Sequence, residues 1–437
     1  MRKVVAFRVC VVAALLLVSV GCGSRTGLLD LDPLATPAPP TLRDASVPGD
    51  AGVDAGDAGD ADVEPPSPPI EDLDPVRTVS AGLFHTCVAT RSGRTLCWGF
   101  NNLGQLGDGS NDNRTVPVPT VGITDAVSVT AGRSHSCALL EDGSVRCWGN
   151  NTSGELGSGT PESRHLSPVQ VDGFEFDEAI LEISAGGEHT CGASESGLVF
   201  CWGSNDNGQV GPDARGSYRE PVWVRGVEER RFNVAAGFEH TCVLGPAGVE
   251  CWGEAAIERT RPPPDDEIAP PFVPTAVPGL PTSVSFLDSG DFMSCAVDRP
   301  AGVSDRRGDV WCWGFERGDD DIVRPTSARR VNGIEDAEEV SVGHEFACAR
   351  TTAGEVRCWG NNERGQLGDG GDQTNPTVPV TPEGLPRTVQ VTAGWRHACA
   401  LDDAGVVRCW GRNQEGQLGD GRGGEYRLPT IAAVIRE

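Results

Sequence analysis

Several features are missing from this 437-residue chain, and each absence narrows its reading. There is no Gly-x-Ser-x-Gly elbow, no His-Glu-x-x-His pair and no P-loop, so no familiar catalytic constellation is present. Helical periodicity is absent. The apolar run at residues 9–20 is too short to be read as a membrane span. Only one lysine occurs, Lys3, so nearly all positive charge is arginine; no functional meaning attaches to that bias. Positive charge is also scarce overall. The net charge is -27, of which the first 22 residues carry +3, residues 23–75 carry -10 and the remainder -20. Nucleic-acid binders need a basic face, so that class is excluded, and the acidity favours solubility.

What the chain has is one phrase used seven times. A small residue and Gly precede two variable residues, then usually His, then after one residue Cys; about ten residues later comes Cys-Trp-Gly. The pairs are Cys87/Cys97, Cys137/Cys147, Cys191/Cys201, Cys242/Cys251, Cys295/Cys312, Cys348/Cys358 and Cys399/Cys409. First cysteines recur at intervals of 50, 54, 51, 53, 53 and 51 residues. A period near 50 marks a repeat architecture rather than several independent domains. Each repeat yields four short strand signals. In the second, Val127-Ser128-Val129-Thr130 alternates, residues 134–140 and 144–148 form a hairpin, and Pro168-Val169-Gln170-Val171 follows a Gly-rich loop.

Direct pairing of Cys137 with Cys147 sets Leu140 opposite Ser144 and leaves a three-residue loop ending in Gly143, where a left-handed backbone is wanted. The two cysteines are then cross-strand neighbours, with Cα atoms expected about 4.5–5.5 Å apart. That spacing suits a disulfide. The alternative is seven pairs of buried free thiols in a reducing compartment.

The N-terminus bears on compartment. Residues 1–21 read as a signal peptide, with Arg2, Lys3 and Arg8 before the apolar run. Gly21-Cys22-Gly23-Ser24 resembles a bacterial lipobox, in which Cys22 would be lipidated; Ser19 departs from that pattern, and simple cleavage beside a free Cys22 is the alternative. Residues 22–75 form an acidic linker rich in Pro, Ala and Asp, unable to build a core. The expected location is the cell envelope, anchored through lipid at the outer membrane.

Ala-Gly-x-x-His-Thr-Cys, Cys-Trp-Gly-Asn-Asn at 147–151 and 358–362, and Gly-Gln-Leu-Gly-Asp-Gly at 104–109, 365–370 and 416–421 resemble the RCC1 (regulator of chromosome condensation) repeat over residues 76–437. The resemblance implies an all-β, seven-bladed β-propeller with one four-stranded blade per repeat. Residues 428–431 read as a fourth strand with no repeat after it. The first repeat opens at Val79-Ser80-Ala81-Gly82 with no strand before it. One blade is therefore expected to be completed from both termini, which removes free sheet edges. The resemblance also implies nucleotide exchange on a nuclear GTPase, which a signal peptide and an acidic domain argue against.

His85, His135, His189, His240 and His397 share one position, with Met293 and Phe346 in repeats five and six. One residue per blade is too widely spread to ligate a metal, so these histidines are expected to bond loop backbone within their own blades. No metal and no cofactor is expected. The seven Cys-Trp-Gly tryptophans are expected between blades. The two variable residues of each repeat are Leu83-Phe84, Arg133-Ser134, Gly187-Glu188, Phe238-Glu239, Asp291-Phe292, His344-Glu345 and Trp395-Arg396. They should sit in tight turns at one end of the propeller. Phe84, Arg133, Glu188, Phe238, Phe292, Trp395 and Arg396 are the candidate partner-binding residues, since aromatics with arginine are typical of interface hot spots. Inward packing of the aromatics is the alternative. Repeats four and five lack Gly-Gln-Leu-Gly and carry acidic stretches at 262–267 and 319–321. The sequence is thus read as a non-enzymatic, monomeric, protein-binding module. A carbohydrate- or cell-wall-binding module and a propeller-scaffold hydrolase are the alternatives.

Overall fold

A computed structural model describes residues 74–432, apart from 175–177, 212–215, 228–232, 254–273, 300–307, 318–322, 372–375 and 377. The expected signal peptide at 1–21, Cys22, the expected linker up to residue 73 and both acidic stretches lie outside the described residues. No helix occurs among those described.

Seven antiparallel sheets follow one another along the chain. Blade 1 is built from Val76–Ala81, His85–Thr90, Thr95–Gly99 and Arg114–Pro119, running from the innermost strand to the outermost. Blades 2, 3, 4, 5 and 7 repeat this order at 126–170, 180–223, 233–276, 284–330 and 388–431. Blade 6 has three strands within 337–360, and its fourth is reduced to a bridge between Cys358 and Val380. The protein is an all-β seven-bladed propeller.

The expected completion of one blade from both termini is not what is found. Blade 1 takes its fourth strand from its own repeat, and so does blade 7, whose last strand Gly424–Ile431 pairs, among the described residues, with Val407–Asn413 alone. Each repeat is already a whole blade in this phase, so nothing remains to be shared. The outer edges stay open and carry proline instead: Pro117 and Pro119, Pro168, Pro221, Pro325 and Pro429. Proline lacks the N–H that a neighbouring strand would need, which blunts an edge against pairing.

Local structure follows the hairpin arithmetic. Every first cysteine stands directly opposite its second across the two middle strands of its blade. All seven pairs are disulfides: Cys87–Cys97, Cys137–Cys147, Cys191–Cys201, Cys242–Cys251, Cys295–Cys312, Cys348–Cys358 and Cys399–Cys409. The alternative of free thiols is thereby set aside for these residues. The expected spacing needs correction at every pair. Cα atoms are 4.1 Å apart at Cys97, Cys201, Cys251 and Cys312 and their partners, and 4.0 Å apart at Cys147, Cys358 and Cys409 and theirs. The close approach of a non-hydrogen-bonded pair, tightened by the bridge, accounts for this. In the turn, Leu140 N–H donates to Ser144 and Gly143 takes φ = 80°, where a side chain would be strained.

Blades are held together by a repeated joint. Between blades 1 and 2 the carbonyl of Gln105 accepts Trp148 Nε1–H at 2.9 Å and Ser136 Oγ–H at 2.9 Å. That hydroxyl's one hydrogen is engaged with the carbonyl, so its oxygen accepts from His85 Nε2–H at 2.8 Å. Apolar residues from both blades surround this group, with Leu106 of blade 1 and Trp148 of blade 2 fully buried. The same arrangement joins blades 2 and 3 through Glu155, Thr190, Trp202 and His135, and blades 3 and 4 through Gln209, Thr241, Trp252 and His189. It also joins blade 7 to blade 1 through Gln417, Thr86, Trp98 and His397. The ring therefore closes by an ordinary joint. The histidines are structural, but they bond a hydroxyl of the next blade rather than backbone of their own.

A pairing rule emerges. Wherever a blade has the His, the next blade has Ser or Thr before its first Cys: Thr86, Ser136, Thr190, Thr241 and Ser294. Where Met293 and Phe346 replace His, the next blade has Ala347 and Ala398. A buried imidazole donor without an acceptor costs about 1–3 kcal/mol, so the two positions must change together. Gln366 still accepts Trp410 Nε1–H at the Phe346 joint, which leaves an acceptor in place for a new hydroxyl. In a double-mutant cycle there, Phe346→His and Ala398→Thr should each destabilise alone and recover together, with a favourable coupling of about 0.5–1.5 kcal/mol. Urea unfolding measures this; strictly additive effects would refute the joint as described.

Candidate functional site at the channel mouth

Inside the ring, the innermost strands hold hands as well. Ser80 Oγ accepts Ala131 N–H at 3.0 Å, and the circle closes with Thr392 Oγ1 accepting Ala81 N–H at 3.0 Å. Each strand ends in its small-Gly pair, and these pairs line a central cavity of about 70 Å³ at one end of the propeller. Small residues are required there. A Cβ on Gly82 would stand 2.5 Å from the Gly132 carbonyl oxygen and 2.6 Å from His85 Cε1. In blades 1–4 and 7 the residue after the Gly then donates its N–H to the next blade's Gly carbonyl, as Leu83 does to Gly132 and Trp395 to Gly82. The variable turns are thus pinned around one mouth.

The structure gathers the candidate residues into two groups. In the first, Trp395 meets Phe84 edge-on at 4.9 Å, and the Arg396 guanidinium lies 4.4 Å from the Trp395 ring centre. In the second, Arg133 pairs with Glu188 at 3.1 Å and lies 5.2 Å from the Phe238 ring centre. Phe292 joins the first group through His344, which is 5.3 Å from both Phe292 and Trp395. His344 Nδ1 is fixed to Asp291 at 2.6 Å. The question of outward or inward packing resolves between the two. Phe292 is 43% exposed, whereas Phe84, Phe238 and Trp395 are half-buried by lateral contacts along the same surface.

Two members of this surface were not anticipated from sequence. Phe100 lies 6.0 Å from Phe84, and Arg412 lies 4.9 Å from Phe84 and 5.4 Å from Trp395. Both directly follow Cys-Trp-Gly, a second position that varies between repeats. Their backbone N–H groups donate to Phe84 and Arg396 carbonyls at 2.9 Å, which fixes them beside the turns.

The cysteines take no part in this surface. Cys97, Cys201, Cys251 and Cys409 are fully buried, Cys312 is half-buried, and each is tied to the first cysteine of its own blade. A bridged sulfur offers no thiolate, so none of them can act as nucleophile or metal ligand.

Electrostatics separates frame from surface. Burial holds the joint imidazoles well below their ordinary range: His85, His189 and His397 at about 3, His135 and His240 at about 4. Nδ1 of each has no partner, so a second proton would have no acceptor. On the innermost strands, burial acts oppositely on carboxyls, raising Asp288 to about 6 and Glu182 and Glu339 to about 7. No group of three or more metal-ligating side chains occurs among the described residues.

The fold and mouth define a repeat-built propeller presenting one variable face. A sequence profile for the RCC1-like domain matches residues 118–434, and profiles for the RCC1 repeat match 92–139 and 76–105. The chain belongs to the RCC1-like family. It is 26% identical over 379 residues to the ultraviolet-B receptor UVR8 of Arabidopsis thaliana, covering 82% of both chains. It is 27% identical over 270 residues to the E3 ubiquitin-protein ligase HERC2 of Homo sapiens, but this spans 59% of the present chain and 5% of that protein. Among solved structures, Prp20p of Saccharomyces cerevisiae superposes with a TM-score of 0.67 at 18% identity, covering 82% of this chain and 87% of that one. Human WBSCR16 gives 0.62 at 20%, covering 74% and 86%.

The joint histidines dictate an acid limb in stability. Their folded values lie below the ordinary value of about 6.5, so their contribution is whole above that pH and is lost as pH falls toward 3–4. The raised carboxyls, Glu155 among them, act in reverse, favouring the fold at low pH and losing that contribution as pH rises. Between about pH 4.5 and 6 the five imidazoles outnumber these four carboxyls, so stability should rise with pH across that range. Chemical denaturation across that range tests this; a flat profile would contradict buried neutral imidazoles.

Proposed function

We propose that this protein is an envelope-anchored binding propeller that docks another protein on its channel-mouth face. The observation that carries the reading is the division of labour within each repeat. Residues of the joints recur, while the residues that vary gather around one mouth in two clusters of aromatics and charges. A rigid support under variable hot-spot residues suits recognition, because little conformational freedom is lost on binding. The family supports it as well: Prp20p is described with binding to Gsp1p and histones, and its complex with Kap60 has been solved. Neither partner is carried over, since identity to that structure is only 18%.

In this reading Cys22 carries lipid and residues 23–75 act as a spacer. The chain enters blade 1 at Val76, paired with Thr90, and reaches the mouth only at Ala81, paired with Thr86. Export also suits seven disulfides.

Two measurements bear on this. Replacing Phe84, Phe238 and Trp395 with alanine should reduce capture of the envelope partner at least tenfold while leaving the melting temperature nearly unchanged; full retention of binding would end the mouth-face reading. Cys22→Ser should abolish palmitate incorporation and move the protein from the membrane pellet to the soluble fraction. Membrane retention without label would overturn the anchor.

A further inference from the structure

The charges around Trp395 say more about what docks there. Two guanidinium groups, Arg396 at 4.4 Å and Arg412 at 5.4 Å, converge on a single indole. Arg412 is already neutralised by Glu415, which it holds through both carboxylate oxygens at 3.2 and 2.8 Å. Arg133, across the mouth, has Glu188. Arg396 makes no ion pair among the described residues. A guanidinium laid over an aromatic ring keeps its rim N–H groups free and directed along the surface, preset for a two-pronged acceptor. Half-buried beside Trp395, that fork is also less screened than one held out in water.

We propose that Arg396 receives a carboxylate of the docked protein, set next to an apolar side chain that packs on the arc of Phe84, Trp395, His344 and Phe292. The inference rests on the protein-binding reading and specifies its partner. Geometry favours a planar carboxylate, which matches the guanidinium fork with two parallel hydrogen bonds. The surroundings favour a single acidic group rather than a polyanion. The remaining turns carry Glu188, Glu239, Asp291 and Glu345, and residues 76–437 have a net charge of -20, so a dense run of negative charge is repelled. One carboxylate beside an aromatic or aliphatic anchor satisfies Arg396, covers the arc and avoids that field.

A random twelve-residue peptide display library, selected on the full exported chain, tests the proposal. Enriched peptides should pair one Asp or Glu with a neighbouring Phe, Trp or Leu. A synthetic enriched peptide should bind Arg396→Gln about tenfold more weakly and Arg396→Glu more weakly still. Arg396→Lys should restore part of the loss. Changing the peptide's acidic residue to its amide should cost as much on wild type and nothing further on Arg396→Gln. Melting temperatures of the variants control for folding. Enrichment of neutral or basic peptides overturns the proposal, as does an amide peptide that binds undiminished. Peptides that depend on Trp395 but not on Arg396 sink the carboxylate and leave the mouth face standing. Failure to enrich any peptide sensitive to Trp395→Ala or Phe84→Ala counts against both.

Discussion

One backbone carbonyl at each of four blade joints organises this molecule. In the loop before each fourth strand, the oxygen of Gln105, Glu155, Gln209 or Gln417 collects an indole N–H and a hydroxyl from the next blade. The hydroxyl then accepts from the histidine of the first blade. Three polar groups are buried in each joint and satisfy one another, which is the condition under which burying them is tolerable. Trp supplies most of the buried apolar area in the same contact, so hydrophobic and polar specification coincide. Blades cannot slide without breaking both.

Because the joint fixes the blades, the disulfides need not. Each links the two middle strands of one blade and crosses no joint. The closed loops are short, so each bridge contributes about 2–3 kcal/mol by restricting the unfolded chain, mostly to its own hairpin. Even Cys295–Cys312, which spans the longest loop, stays within blade 5. Blade integrity and ring integrity are separate properties here. The bridges serve the first; the carbonyl, Trp, hydroxyl and His serve the second.

Much of this was legible in the sequence, and the limits have physical causes. The period announced seven blades. The nine residues between Cys137 and Cys147 set the hairpin register, and Gly143 marked its turn. The histidine partners were misassigned because a contact between neighbouring repeats lies some fifty residues away in the chain. The His135 imidazole bonds Thr190 of the next blade. A signal did exist: Met293 with Ala347 and Phe346 with Ala398 are joint losses read across adjacent repeats. The mouth turns were legible as a ring, yet their lateral packing was not. Arg412 and Phe100 enter the surface from a different loop, and only three-dimensional adjacency reveals that position. Closure was misjudged for a related reason, since a pattern of strands does not state which phase of the repeat forms a blade.

The closure itself has a consequence for chain topology. Val76 N–H bonds the Gly405 carbonyl at 3.1 Å, and Ala432 N–H bonds that of Val407 at 3.1 Å, so both ends of the propeller meet at one hairpin. The seam between them is a joint like the others, so the order in which the blades are threaded is not imposed by the fold. A short connector between these ends and new termini in another inter-blade loop would give a circular permutant with the same seven blades. Such a chain would begin and end at a different place on the rim while keeping the same mouth.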